Sequence, residues 1–166
     1  MGVIRILGID PGLRRAGWGL ISCEGSRLGF LACGTVVVPD RGSLAERLAL
    51  LHRALVELVA LHAPDEAAVE ETFVNANPAS TLKLGQARGV ALLAPALSGV
   101  PVAEYPAAVV KKTLVGNGQA EKLQVRKMIA VLLPRASPKS DDAADALAVA
   151  VTHAQHRSSL RVAAGR

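Results

Sequence analysis

Six carboxylates stand at the edges of segments whose composition otherwise belongs in a protein core. Asp10 closes the apolar run Val3-Ile4-Arg5-Ile6-Leu7-Gly8-Ile9. Glu70 and Glu71 close Ala67-Ala68-Val69, and Asp141, Asp142 and Asp145 open a stretch of almost pure Ala, Leu and Val. A desolvated carboxylate is costly unless a basic partner or a metal ion compensates it. Carboxylates from three distant segments, gathered within a few ångströms, repel unless a cation intervenes, so the pattern points to a divalent metal. Mg²⁺ suits such a site because it takes oxygen ligands and keeps several waters. Two such ions, about 3.5–4 Å apart, can clamp the attacking and leaving oxygens of a phosphodiester displacement. No Ser, Cys or His nucleophile arrangement competes. His52 and His62 lie on an amphipathic helix, and His153 and His156 lie near the end of the last one, where an imidazolium suits the helix dipole. Taken singly, each acid has a plainer role: Asp10 in an Asp-Pro-Gly turn, Glu70 and Glu71 at an exposed strand end, Asp141 and Asp142 at a helix N-terminus. Together, beside a basic surround, they favour the metal site.

The segments around these groups read as three strands followed by alternating helices and strands. Residues 3–10, 16–23 and 28–38 form a hairpin-rich start, with turns at Pro11-Gly12 and Glu24-Gly25-Ser26. Ser43-Leu44-Ala45-Glu46 is a capping-box signature, and the helix it opens carries Leu44, Leu48, Leu51, Leu55 and Leu58 on one stripe before Pro64. Residues 67–72 and 101–105 are the fourth and fifth strands. Helices are expected over 78–98, 106–115, 120–133 and 141–156. The first of these holds Gly85 and Gly89 near its middle, which destabilises a helix unless close packing uses the missing side chains. The expected architecture is therefore α/β: a five-stranded mixed sheet, three antiparallel strands then parallel β-α units, with helices on both faces. Asp10 and Glu70 would meet at one rim of that sheet, just outside the strand ends. On the last helix, Asp142 and Asp145 share a face, as do Asp141 and Asp145.

At 166 residues the chain reads as one domain over 1–156 and a basic, disordered tail over 157–166. The longest apolar run, Val90 to Ala103, is broken by Pro95, Gly99 and Pro101, so no membrane span is expected. No secretory signal segment is visible, and Cys23 and Cys33 suggest neither a disulfide framework nor a metal site. A cytoplasmic, reduced protein is the expectation. Residues 1–104 hold nine basic and ten acidic residues, whereas 105–166 hold ten basic and four acidic. That asymmetry points to a polyanionic partner, most simply nucleic acid.

Four segments carry a family resemblance. Gly8-Ile9-Asp10-Pro11-Gly12, Val69-Glu70, Lys83-Leu84-Gly85-Gln86-Ala87-Arg88-Gly89 and Asp142-Ala143-Ala144-Asp145-Ala146-Leu147-Ala148 resemble, in order over about residues 4–153, the bacterial RuvC Holliday-junction resolvases. The resemblance implies a ribonuclease-H-like fold and a homodimer that nicks two strands of a four-way DNA junction symmetrically, using Mg²⁺ or Mn²⁺. It implies Asp10, Glu70, Asp142 and Asp145 as the metal-binding catalytic tetrad, leaving Glu71 and Asp141 outside it. Phe73 matches the family's aromatic that pushes into the junction centre, where stacking on a base is worth roughly 1–3 kcal/mol. Lys111 and Lys122 match basic residues near the scissile phosphate, with Lys112 adjacent; Lys83 and Arg88 are further expected DNA contacts. A RuvA–RuvB branch-migration complex is the implied partner. Asp141 and the loop residues Asn75 and Asn77 depart from the pattern, so base preference is not carried over. The rival readings are a non-catalytic junction binder of the same fold, an actin-like sugar kinase suggested by Gly-Ile-Asp-Pro-Gly with Gly17, and a nuclease acting on RNA.

Overall fold

Ile6, Leu7, Gly8 and Ile9 are all buried although successive side chains point to opposite faces, which makes the first apolar run a central strand covered on both sides. The computed structural model describes residues 2–71 and 76–164, with the backbone alone for 158–164. Strand β1 (Ile4–Asp10) pairs antiparallel with β2 (Arg15–Glu24), which pairs antiparallel with β3 (Arg27–Val37). Gly25, at φ 59°, makes the tight turn between β2 and β3. Strand β4 (Glu66–Glu71) lies parallel to β1, and β5 (Val102–Pro106) parallel to β4. The five-stranded order is β3-β2-β1-β4-β5, the mixed sheet expected from the sequence.

Helices cover both faces. On one, α1 (Leu44–His62) and α2 (Pro78–Leu97) bury Leu51, Leu55, Val59, Ala87, Ala91 and Ala94 against Leu7, Ile9, Leu20 and Val69. The capping box forms as expected: Ser43 N donates to Glu46 Oε2 at 2.6 Å, and Glu46 N to Ser43 Oγ at 3.2 Å. Val59 rather than Leu58 completes the buried stripe of α1. Asn77 caps α2, its Oδ1 accepting from Ala79 N at 3.0 Å and Ser80 N at 3.3 Å, with Pro78 at the first helical position.

On the other face, α3 (Ala107–Val115), α4 (Lys122–Leu132) and α5 (Asp141–Ala164) pack Val110, Leu114, Val125, Ile129, Leu147 and Val151 against Ile6, Ile21 and Ala68. Helix α5 does not end at 156 as expected. It continues to Ala164, and Arg157 is anchored by donating from Nε to Glu66 Oε2 at 2.9 Å and from a terminal nitrogen to Oε1 at 2.6 Å. The basic composition of this segment suggested solvent, but its first arginine has a carboxylate partner 91 positions away. No described helix is long and apolar enough to cross a membrane.

Candidate functional site

Parallel pairing of Ile9 with Val69 sends β1 and β4 out of the sheet side by side. The next residues are Asp10 and Glu70, and strand alternation turns both toward the face covered by α3, α4 and α5. The two carboxyl groups hydrogen-bond each other. Burial, followed by the charges of Glu70 and Asp145, the shared hydrogen bond and the charge of Asp142, pushes Asp10 up to about 8. Burial and Asp145 also raise Glu70, opposed by the hydrogen bond from Asp10 and by Lys122 and Lys111. One proton held between two carboxylates is the ordinary response of like charges in a confined site.

The other two expected ligands come from the first turns of α5, and glycines set where that helix lies. A Cβ on Gly17 would stand 1.9 Å from Asp142 O, one on Gly8 2.1 Å from Ala146 O, and one on Gly19 2.7 Å from the Leu147 side chain. The bare patch on β1 and β2 lets the α5 backbone rest on the sheet. Ser140 caps the helix, its Oγ accepting from Ala143 N at 3.1 Å and lying 2.7 Å from Thr35 Oγ1 on β3. Asp145 thereby enters a cleft of about 330 Å³ with Asp10, Glu70, Lys111 and Lys122. Lys122 Nζ lies 3.3 Å from Asp145 Oδ2, and that charge raises the lysine above its ordinary range. Asp142 sits at the edge of this group, its Oδ2 accepting from Arg15 Nε at 2.8 Å. Asp141 is ion-paired with Arg126, and Glu71 does not line the cleft.

As placed, no three Asp, Glu, His or Cys side chains among the described residues stand close enough to enclose an ion. Lys122 pairs with Asp145 and Arg15 with Asp142, while Asp10 and Glu70 lie against each other. The donor set fits a hard divalent cation. It is all oxygen, and the raised carboxyl pair registers a repulsion that a 2+ charge relieves.

The remaining expected residues are dispersed. Lys112 is exposed near the end of α3 and does not line the cleft. Arg88 is engaged by Glu104, its Nε donating to Oε1 at 2.9 Å, and Lys83 lines a separate cleft beside Arg14, Arg15 and Arg47. Phe73, with Thr72 and Asn75, lies outside the described residues. His153 is not a helix-end residue: α5 runs past it, and its buried ring lies 2.9 Å from both Tyr105 OH and Glu66 Oε2. Sequence reasoning missed Arg15, Thr35 and Ser140 entirely. It also missed the structural meaning of Gly17 and Gly19, although glycine inside a strand is a known signal for close backbone approach.

An open mixed sheet with half-buried carboxylates at the rim of two central parallel strands, and lysines facing them, defines a ribonuclease-H-like, metal-dependent nuclease. The family model described as Crossover junction endodeoxyribonuclease RuvC matches residues 6–153, and the chain belongs to that family. It is 66% identical over 165 residues to the crossover junction endodeoxyribonuclease RuvC of Azorhizobium caulinodans, covering 98% of each chain. A Thermus thermophilus RuvC structure superposes with TM-score 0.84 at 32% identity, over 94% of this chain and 96% of that one. T. thermophilus RuvC in complex with Holliday junction substrate gives TM-score 0.86 at 33% identity, over 93% and 94%. The chain is an endodeoxyribonuclease, and nucleases of this family depend on a divalent metal.

Proposed function

We propose that this chain resolves four-way DNA junctions by symmetric paired nicks, and that it works as a homodimer in the bacterial cytoplasm alongside a RuvA–RuvB branch-migration complex. The observation that carries the chemistry is one cleft holding Asp10, Glu70 and Asp145 together with Lys111 and Lys122. Asp10, Glu70, Asp142 and Asp145 would hold two Mg²⁺ ions, with Mn²⁺ as an alternative. When bound, the ions supply an ionised water at neutral pH and neutralise charge at the scissile phosphate.

The residues themselves hold and orient. Asp10 and Glu70 would hold the cations as carboxylates, without the proton that lies between them. Lys122 exchanges Asp145 for a non-bridging phosphate oxygen, and Lys111 reaches the same group from α3; both stabilise charge that grows in the transition state. Water attacks phosphorus in line, the bond to the 3′ oxygen breaks and that oxygen takes a proton, leaving a 5′-phosphate and a 3′-hydroxyl.

The test is cleavage of an end-labelled four-way junction against linear duplex of the same sequence, in Mg²⁺, Mn²⁺ and EDTA, beside Asp145→Asn. Paired, ligatable nicks on the junction alone are expected, lost in EDTA and reduced at least 100-fold in the variant. Tight junction binding without cutting in either metal would reject the nuclease site and favour a binding module.

A further inference from the structure

Arg15, which holds Asp142 at the edge of the carboxylate cleft, also lines a second cleft of about 550 Å³ beside the first turns of α1 and α2. Arg14, Arg15, Arg47 and Lys83 line it against one acid, Asp40; with Arg15 paired to Asp142, two cations remain in excess. Asp40 ion-pairs with both Arg14 and Arg47, the second at 3.3 Å. Arg14 is 70% exposed at the cleft mouth, whereas Arg47 is only 12% exposed. The Arg47 terminal nitrogen that faces Asp40 at 3.3 Å is poorly aligned for a hydrogen bond, and Arg47 Nε is buried without an acceptor. Leaving a guanidinium donor unmatched is costly, so Asp40 alone satisfies Arg47 incompletely. A planar fork of donors at the base of a concave basic cleft matches two oxygens of a phosphate. The cations come from the turn after β1, the start of β2, α1 and α2, a spread that suits a polymer backbone better than a single phosphate.

We infer that this cleft is a second DNA-backbone site, which receives the strand as it runs past Asp142 away from the carboxylate cleft. Arg14 and Arg47 are its phosphate contacts. Asp40 is an internal acid that holds both guanidiniums until phosphate displaces it. The inference rests on the junction-resolving reading above and adds to it a contact surface outside the cutting site.

The test is fluorescence anisotropy of a labelled four-way junction, titrated with the full chain in EDTA at several salt concentrations, beside duplex of the same sequence. Each neutralised phosphate contributes about 0.9 to the slope of log Kd against log salt. Arg14→Ala and Arg47→Ala are each expected to lower that slope by about 0.9. Arg47→Lys keeps the charge without the fork and serves if Arg47→Ala fails to fold; it should keep the slope while weakening binding. Asp40→Asn frees two guanidiniums and should tighten binding several-fold, which loss of a merely structural ion pair does not do. Glu57→Gln, an exposed charge change nearly three turns further along α1, controls for net charge and should leave binding unchanged. Wild-type slope and affinity in both Arg14→Ala and Asp40→Asn would overturn the inference and leave the resolvase reading standing. A wild-type chain that binds the junction no better than duplex would bring down that reading and the inference with it.

Discussion

Two glutamates four residues apart on β4 are driven in opposite directions by their neighbours. Glu70 is half-buried among acids and is raised; Glu66, at the other end of the strand, is held down to about 2. The hydrogen bonds from Arg157 are the largest cause, opposed by burial and reinforced by His153 and the Arg157 charge. Burial in turn lowers His153, so its ring is neutral at pH 7 and bridges Tyr105 to Glu66. A carboxyl depressed in the fold adds stability that is complete above its unfolded value, near 4.5, and is lost as pH falls toward the folded value, near 2. With a discount for solvent screening, Glu66→Gln should cost about 2 kcal/mol at neutral pH. Urea denaturation of both proteins across the acid range checks the sign. The gap between them should narrow by about half between pH 5 and pH 3, whereas a constant gap would mean that packing, not charge, makes the difference.

At the scale of elements, α5 decides whether the carboxylates meet, and the glycines beneath it decide where α5 lies. Gly17→Ala would force a Cβ to within 1.9 Å of Asp142 O, so the helix start must move. Overpacking of this kind costs about 1–3 kcal/mol. Displacing Asp142 and Asp145 by even 1 Å should slow junction nicking by about 100-fold. Denaturation midpoint and single-turnover nicking rate should both fall; wild-type values in both would show that the close approach does not set the helix. The elements themselves were legible in the sequence. Short apolar runs bounded by turn residues located the five strands, and Ser43 with Glu46 located the start of α1. The acids were legible too, because Asp10, Glu70 and Asp145 interrupt segments that are otherwise apolar. What stayed hidden depends on partners distant in sequence. Nothing near Arg15 announces Asp142, 127 positions away, and nothing near residue 157 announces Glu66. Periodicity reports which face of a helix is buried, but it does not report which cation will neutralise which acid.

For the molecule as a whole, one chain presents one carboxylate cleft, and paired nicks require two. The isologous dimer proposed above would supply the second site and fix its orientation by a two-fold axis. Helix α2 offers a surface for it. Leu82, Leu93 and Leu97 are 69%, 49% and 70% exposed, and at helical spacing they share a face with Gly85 and Gly89. A Cβ added at either glycine meets nothing within 4 Å among the described residues. Two mid-helix glycines therefore weaken α2 by roughly 1 kcal/mol each without any intrachain packing in return. Close approach of a second copy would make use of them, since bare backbone lets two helices pack tightly. Gly89→Leu is compatible with the isolated chain and obstructs such a contact. Sedimentation velocity should therefore show wild type as a dimer and Gly89→Leu shifted toward monomer at the same concentration. On a four-way junction the variant should release single nicks before pairs, because each protomer then cuts independently. A variant that stays dimeric and nicks in pairs would place the two-fold axis elsewhere and leave the exposed leucines of α2 to another partner.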